Sequence, residues 1–132
     1  MGTEFTIRYT GTYIHVDVGE NYEINAEAME QFWPELIEAA KHYQCRLVLS
    51  EGTISEREMS TIEAYQSATA FPEAIPGIRL ACCFYNYPID EISRFFQTVA
   101  HNRGAQVEFF KDKAAALSWL GVGMPGNNNS TA

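Results

Sequence analysis

The chain has 132 residues, of which 46% are hydrophobic, and its formal net charge is −8. A domain of this size buries about two thirds of the surface of its unfolded chain, so the composition predicts one self-sufficient core. The acidic balance repels phosphate groups, which argues against nucleic-acid binding and against adhesion to anionic lipid surfaces. Because no apolar run approaches the roughly 20 residues that span a bilayer, we also expect no membrane insertion.

Three cysteines, Cys45, Cys82 and Cys83, lie in apolar stretches at no spacing typical of a disulfide framework or a metal site. We expect them to be small buried side chains in a reducing cytosol, which predicts a cytoplasmic protein without a metal or cofactor. Cys82 and Cys83 are adjacent in a strand-like run and should therefore point to opposite faces of a sheet.

The N-terminal residues alternate between polar and apolar side chains, as strands with one buried face do. A two-residue turn at Thr10-Gly11 would pair Ile7 with Ile14 and Phe5 with Val16. That register puts the aliphatic side chains on one face of a hairpin and leaves the other face polar.

The middle of the chain alternates between helical and strand-like patterns. Asn25 is placed to cap a first helix, which Pro34 should bend or restart, and Leu47 to Leu49 form a short apolar strand. Ser55-Glu56-Arg57-Glu58 has the pattern of a capping box, which predicts that a second helix starts there. Its inward residues would be Met59, Ile62 and Tyr65.

The last third begins with an apolar strand at Ile78 to Tyr85. It continues, from Asp90 to Leu120, as a helix, a glycine stop at Gly104, a strand at Gln106 to Phe110, and a final helix capped by Asp112. The predicted order is ββαβαβαβα, an open, mostly parallel α/β sheet of about five strands with an N-terminal hairpin and helices on both faces. We assign residues 1–121 to this domain and residues 122–132 to a disordered tail.

Ligands of open α/β sheets bind outside the carboxyl ends of the parallel strands, and two segments are expected there. In the first, Ser50, Thr53 and Ser55 supply hydroxyls before the second predicted helix, which suits an anion or a phosphorylation site at Ser55. Ser55 is equally accounted for as a helix cap.

The second segment, Tyr85-Asn86-Tyr87, would put two phenols and an amide at a pocket mouth. These side chains could contact a small apolar ligand or a partner protein, or form an ordinary aromatic rim. His15 and Asp17 share one strand face and could orient a catalytic base, although no nucleophile motif accompanies them.

Several residues of the last third carry a family resemblance: Phe95-Phe96, Val99-Ala100, Asn102-Arg103-Gly104, Phe109-Phe110 and Ala116-Leu117-Ser118-Trp119-Leu120. In these positions and in element order the chain resembles the SpoIIAA-like proteins, a bacterial group related to STAS and SEC14-like domains. The resemblance implies a bacterial cytosolic regulatory or binding module that is not an enzyme. The Asp-Ser-Ser-Gly phosphorylation motif of STAS antagonists is not present, and only Ser55 could correspond to its serine.

Three hypotheses follow from the sequence. The first is a non-catalytic module that docks a protein partner or itself, as a homodimer. The second is a carrier or sensor of a small apolar ligand in the crevice at the strand ends, as the SEC14 relationship implies. The third is a hydrolase that uses His15 and Asp17.

Overall fold

The structure is a computed structural model, and it describes residues 4–122. Within this range the chain forms nine elements: β1 (Thr6–Tyr9), β2 (Ile14–Asn25), α1 (Ala26–Tyr43), β3 (Leu47–Glu58), α2 (Thr61–Ala74), β4 (Arg79–Phe84), α3 (Glu91–Asn102), β5 (Gln106–Phe110) and α4 (Lys113–Leu120). The predicted order of elements is confirmed. The proposed tail lies outside the described residues, except for Val122.

The five strands form one sheet in the order β1-β2-β3-β4-β5. β1 pairs antiparallel with β2, and every later neighbour is parallel. The predicted α/β class and mostly parallel sheet are therefore confirmed.

The helices cover the two faces of the sheet unequally. Each crossover from β2 to β5 steps to the next strand in the same direction, so right-handed connections place α1, α2 and α3 on one face. The larger core cluster lies on that face and contains Leu36 of α1, Phe71 of α2 and Ala100 of α3. Of the described helices, α4 covers the other face, where its Leu117 packs in a smaller cluster with Leu49. We call these the three-helix face and the α4 face.

Helix caps agree with the sequence at two of the predicted positions. The Asn25 side chain accepts a hydrogen bond from the amide of Ala28, and Asp112 accepts one from Ala114. α1 runs through Pro34 without interruption. The cysteines are free and buried, and Cys82 and Cys83 belong to the clusters on opposite faces, as predicted.

The predicted hairpin register is wrong by two residues. Ile7 pairs with Val16, and Tyr9 pairs with Ile14. The turn is wider than predicted because the Thr10 hydroxyl accepts hydrogen bonds from the amides of Thr12 and Tyr13. A shift of two residues leaves each side chain on its predicted face, because the side-chain period of a strand is two.

The predicted start of the second helix is also wrong. Ser55 to Glu58 belong to β3, and α2 begins at Thr61 with Ser60 as its cap. Ser60 and Glu63 form a reciprocal capping box, the same pattern five residues later. Consequently Ile62 and Tyr65 are exposed, whereas α2 buries Ala64, Ala68, Phe71 and Pro72.

Among residues 4–122, no helix has both the length and the apolar character needed to cross a membrane.

Candidate functional site

An apolar cavity of about 90 Å³ lies between the three-helix face of the sheet and α1, α2 and α3. A cavity of roughly 10–15 Å³ holds one water molecule, so this one can take a small organic group. Most of its lining is aromatic or aliphatic; the lining includes Val18, Tyr22, Phe32, Trp33, Leu80, Phe84, Tyr87, Ile92, Phe96 and Phe109.

A two-stranded extension of the sheet forms one wall of the cavity. β3 pairs with β4 only as far as Gly52, so residues 53–58 pair with β2 alone. Tyr22 lies beside Ile54 in this extension, and Ile24 lies beside Arg57. We call residues 22–25 and 53–58 the sheet extension.

Arg57 links the sheet extension to the start of α3 by hydrogen bonds. Its Nη1 atom donates to Asp90 Oδ1 and to the Tyr87 hydroxyl, each at 2.8 Å. The hydrogen bond to Asp90 holds the pKa of Arg57 above its usual value. The same bond, with the hydrogen bonds from Ser93, lowers the pKa of Asp90. Both groups are therefore charged at neutral pH, and their contact joins β3 to the residue that caps α3.

Two residues that line the cavity each carry a buried polar atom with no hydrogen-bond partner among the described residues. These atoms are the hydroxyl oxygen of Tyr22 and the indole nitrogen of Trp33. Tyr22 is only 3% exposed, and burial raises the pKa of its phenol to about 12. Buried polar groups in folded proteins are nearly always hydrogen-bonded, and a third such atom, Nε of Arg79, lies outside the cavity.

The polar side chains of the lining are hydroxyls, one thiol and Arg57, beside the Trp33 indole. Among its described residues none is Asp, Glu or His, and its thiol belongs to Cys82, whose pKa burial raises. A thiol with a raised pKa is a poor nucleophile. Nor do three or more His, Cys, Asp or Glu side chains group together anywhere in residues 4–122 to hold a metal ion.

Two of the six residues proposed from the sequence line the cavity. Ser50 is buried in β3 beneath it, and Tyr87 faces it while accepting the hydrogen bond from Arg57. Tyr85, the first residue of the aromatic segment, points to the α4 face and is 41% exposed.

The other three residues hold the backbone of the sheet extension. The Thr53 hydroxyl accepts from the amide of Asn21, and the Ser55 hydroxyl donates to the carbonyl of the same residue. The Asn86 side chain bonds both backbone groups of Ile54. Since Ser55 lies in a strand and not before a helix, a phosphate there would lack the stabilisation of a helix N-terminus that the sequence suggested.

His15 and Asp17, proposed as a catalytic pair, have different partners in the structure. The Asp17 carboxylate accepts from the amide of Gly19. His15 Nε2 lies 2.6 Å from Glu51 Oε1, and because a carboxylate only accepts, this nitrogen carries the proton.

Glu51 is the centre of a polar cluster on the α4 face. Tyr85 donates to its second oxygen, and Lys113 Nζ lies 3.4 Å from the first. Burial acts to raise the pKa of Glu51, but the hydrogen bonds from His15 and Tyr85 and the charge of Lys113 outweigh it and lower the pKa. Glu51 therefore has its hydrogen-bond and charge partners within the cluster.

Sequence reasoning missed Tyr22, Trp33 and Arg57, which line the cavity, and Asp90, which bonds Arg57. Asp90 could have been identified as a helix cap, since it precedes an amphipathic helix. Nothing local pairs it with Arg57, which is 33 residues away. The unpartnered atoms of Tyr22 and Trp33 follow from packing and have no signal in the sequence.

Comparison with known proteins adds no relative: no protein-family model, curated protein or solved structure matches the chain. The resemblance to SpoIIAA-like proteins therefore stays a prediction from the residues of the last third.

Proposed function

We propose that this domain is a non-catalytic regulatory module that senses or carries a small, largely apolar ligand, bound in the cavity beneath α1, α2 and α3. The observation that carries the proposal is the cavity itself, about 90 Å³ in volume and lined mainly by aromatic and aliphatic side chains. Well-packed cores contain few voids larger than a water molecule, so a cavity of this size calls for an explanation.

The position of the cavity also supports ligand binding. It extends along the sheet to Ile24, Arg57 and Phe84, near the carboxyl ends of β2, β3 and β4, the side on which open α/β sheets bind their ligands. The Arg57–Asp90 contact joins two elements that border it, so opening that contact would give a ligand a way in. The volume limits the ligand to a few non-hydrogen atoms, or to one end of a longer molecule.

Native mass spectrometry of the purified protein tests this function. We expect the wild type to carry an additional small mass, and Ala64→Met to lose it because the longer side chain fills the cavity that Ala64 lines. Ala70→Met is the matched control, since Ala70 lies exposed on the same helix, and it should keep the ligand. A wild-type protein that is ligand-free and monomeric would contradict the proposal.

A second candidate function, docking of a protein partner or a second copy, is favoured by one observation. Ile62 of α2 is 68% exposed, and Tyr65 lies one turn further along the same helix and is 44% exposed. Exposed apolar residues that lie together are typical of interaction surfaces. A ligand-free dimer in the same mass spectra, lost in Ile62→Glu, would favour this candidate over the first.

A further inference from the structure

Arg57 places a cation at the edge of the apolar cavity. Its side chain lines the cavity and is 20% exposed, so it lies where the cavity meets solvent. Ile24, its neighbour in β2, lines the cavity as well. Among the described residues the lining has no other Arg and no Lys, so this guanidinium is the cation of the site.

Part of the Arg57 guanidinium has no partner within residues 4–122. Its hydrogen bonds to Asp90 and to the Tyr87 hydroxyl both start from Nη1, whereas a guanidinium donates through all three of its nitrogens. No atom of Arg57 is among the buried unpartnered atoms of the described residues. Nε and Nη2 are therefore accessible to a small molecule.

The contacts made by Nη1 hold the accessible edge in a fixed position. Cζ of Arg57 lies over the Tyr87 ring, 5.7 Å from its centre, while Nη1 is bonded on to Asp90. A side chain held in this way loses little conformational freedom on binding. Nε and Nη2 form one edge of the planar group, and such an edge donates two parallel hydrogen bonds to a carboxylate.

The acidic residues next to Arg57 in the chain do not compete for this edge. Glu56 and Glu58 flank Arg57 in β3, where the pairing with β2 is regular, so their side chains point to the opposite face of the sheet. The net charge of −8 acts on an anion mainly from a distance, and salt at 0.1 M screens it beyond roughly 10 Å. A carboxylate at the edge of the cavity also stays partly hydrated, which limits its desolvation cost.

We propose that the cavity binds a small organic carboxylate, with its apolar tail among the aromatic side chains of the lining and its two oxygens on Nε and Nη2 of Arg57. The volume of about 90 Å³ limits the tail to a few carbon atoms. This inference rests on the proposed function, because the tail occupies the same cavity. It goes further by naming the chemical class of the ligand and the residue that recognises it.

A pair of probes of nearly the same shape tests the role of the charge. Isovalerate and isovaleramide share one branched tail, and only the first is charged at pH 7. In NMR titrations followed by the methyl signals of Val18 and Leu80, which line the cavity, we expect isovalerate to bind about tenfold more tightly. That ratio corresponds to about 1.4 kcal/mol. Leu117, on the α4 face, provides the control signal.

Variants of Arg57 give the second arm of the test. Arg57→Gln should reduce the preference for isovalerate to nearly one and leave the binding of isovaleramide unchanged. Arg57→Lys keeps the charge without the planar edge and should keep a preference of a few-fold. Arg94→Gln, at an exposed position of α3, removes the same charge and should keep the tenfold preference.

The outcomes separate this inference from the proposed function. If the wild type binds both probes equally, the inference is overturned although ligand binding stands. The same holds if Arg57→Gln keeps the tenfold preference, because the carboxylate would then bind elsewhere. If neither probe shifts the cavity signals at saturating concentration, both the inference and the proposed function are overturned. Since the wild-type comparison and Arg57→Lys both keep a cation beside Asp90, the test does not depend on the stability of Arg57→Gln.

Discussion

His15 Nε2 lies 2.6 Å from Oε1 of Glu51, although the two residues are 36 positions apart in the chain. The contact exists because β2 and β3 are parallel neighbours in which His15 lies beside Leu49, and Glu51 follows on the same face two residues later. Three donors, from His15, Tyr85 and Lys113, converge on this one carboxylate. The cluster thus joins β2, β3, α4 and the residue that follows β4.

Glu51→Gln should destabilise the fold. The amide removes the charge that attracts Lys113 and forces one of the donors to face an NH₂ group, so we expect a loss of about 2 kcal/mol, the usual value of charged hydrogen bonds. Urea unfolding at neutral pH measures it. Glu56→Gln, at an exposed position of the sheet extension, is the control and should change stability by less than about 0.5 kcal/mol. Equal stabilities for the two variants would contradict the role given to Glu51.

The Arg57–Asp90 contact should make stability depend on pH in the acid range. The pKa of Asp90 is lowered in the folded state, so its contribution is complete above the unfolded value of about 4 and is lost as the pH falls towards the folded value. Asp90→Asn keeps a capping side chain but removes the charge. Because the Asp90 side chain is 40% exposed, solvent screening limits the expected difference at pH 7 to about 1 kcal/mol.

Urea unfolding of wild type and Asp90→Asn at several pH values tests the direction of this pH dependence. The difference in unfolding free energy should shrink as the pH falls from 5 to about 2. The pKa of Glu51 is lowered as well, so wild type and variant should both keep a share of acid sensitivity. A difference that grows on acidification would refute the assignment of the charged pair.

Ala64→Met should stabilise the ligand-free protein. Ala64 is fully buried and borders the cavity, and each buried methylene contributes about 0.8 kcal/mol before the cost of ordering a flexible side chain. We expect a net gain of about 1 kcal/mol in unfolding free energy. Ala70→Met, on the exposed side of α2, should leave stability nearly unchanged. A marked loss in Ala64→Met would mean that this part of the core is already filled.

Gly52→Ala should be strongly destabilising. Gly52 has φ +152°, and a Cβ atom added there would lie 2.5 Å from the Gly19 carbonyl oxygen and 2.5 Å from Val18 Cγ2. Since backbone is one of the two obstacles, we expect a loss of about 3 kcal/mol or more. Gly19→Ala is a matched variant with open space around it, and its left-handed backbone should cost only about 1–2 kcal/mol. Thermal unfolding of both variants distinguishes crowding from backbone strain.

Local sequence patterns predicted the order of helices and strands. The features that they missed depend on pairing between residues that are distant in the chain. Asn25 and Asp112 were identified as helix caps because capping depends on residues within one turn. Two segments fit a capping box, Ser55 to Glu58 and Ser60 to Glu63. The first is a strand because its backbone pairs with residues 22–25 of β2, some 30 positions away. No local pattern reveals that pairing.

The candidate site shows the same division between local and non-local signals. Of the six residues proposed at the strand ends, Ser50 and Tyr87 line the cavity. Tyr22 and Trp33 were missed because an unpartnered polar atom is a property of packing in three dimensions. The carboxylate that His15 contacts belongs to Glu51 on the neighbouring strand β3, and not to Asp17 on its own strand.

The location of a bound ligand tests the proposed function most directly. Intermolecular nuclear Overhauser effects between a small apolar probe, cyclopentane, and labelled protein measure this location. We predict contacts to Phe32, Phe96 and Leu80, which line the cavity on the three-helix face, and none to Leu117 on the α4 face. Contacts confined to Leu117 and its neighbours, or an absence of contacts at saturating cyclopentane, would contradict the claim that the domain binds its ligand between the sheet and the three helices.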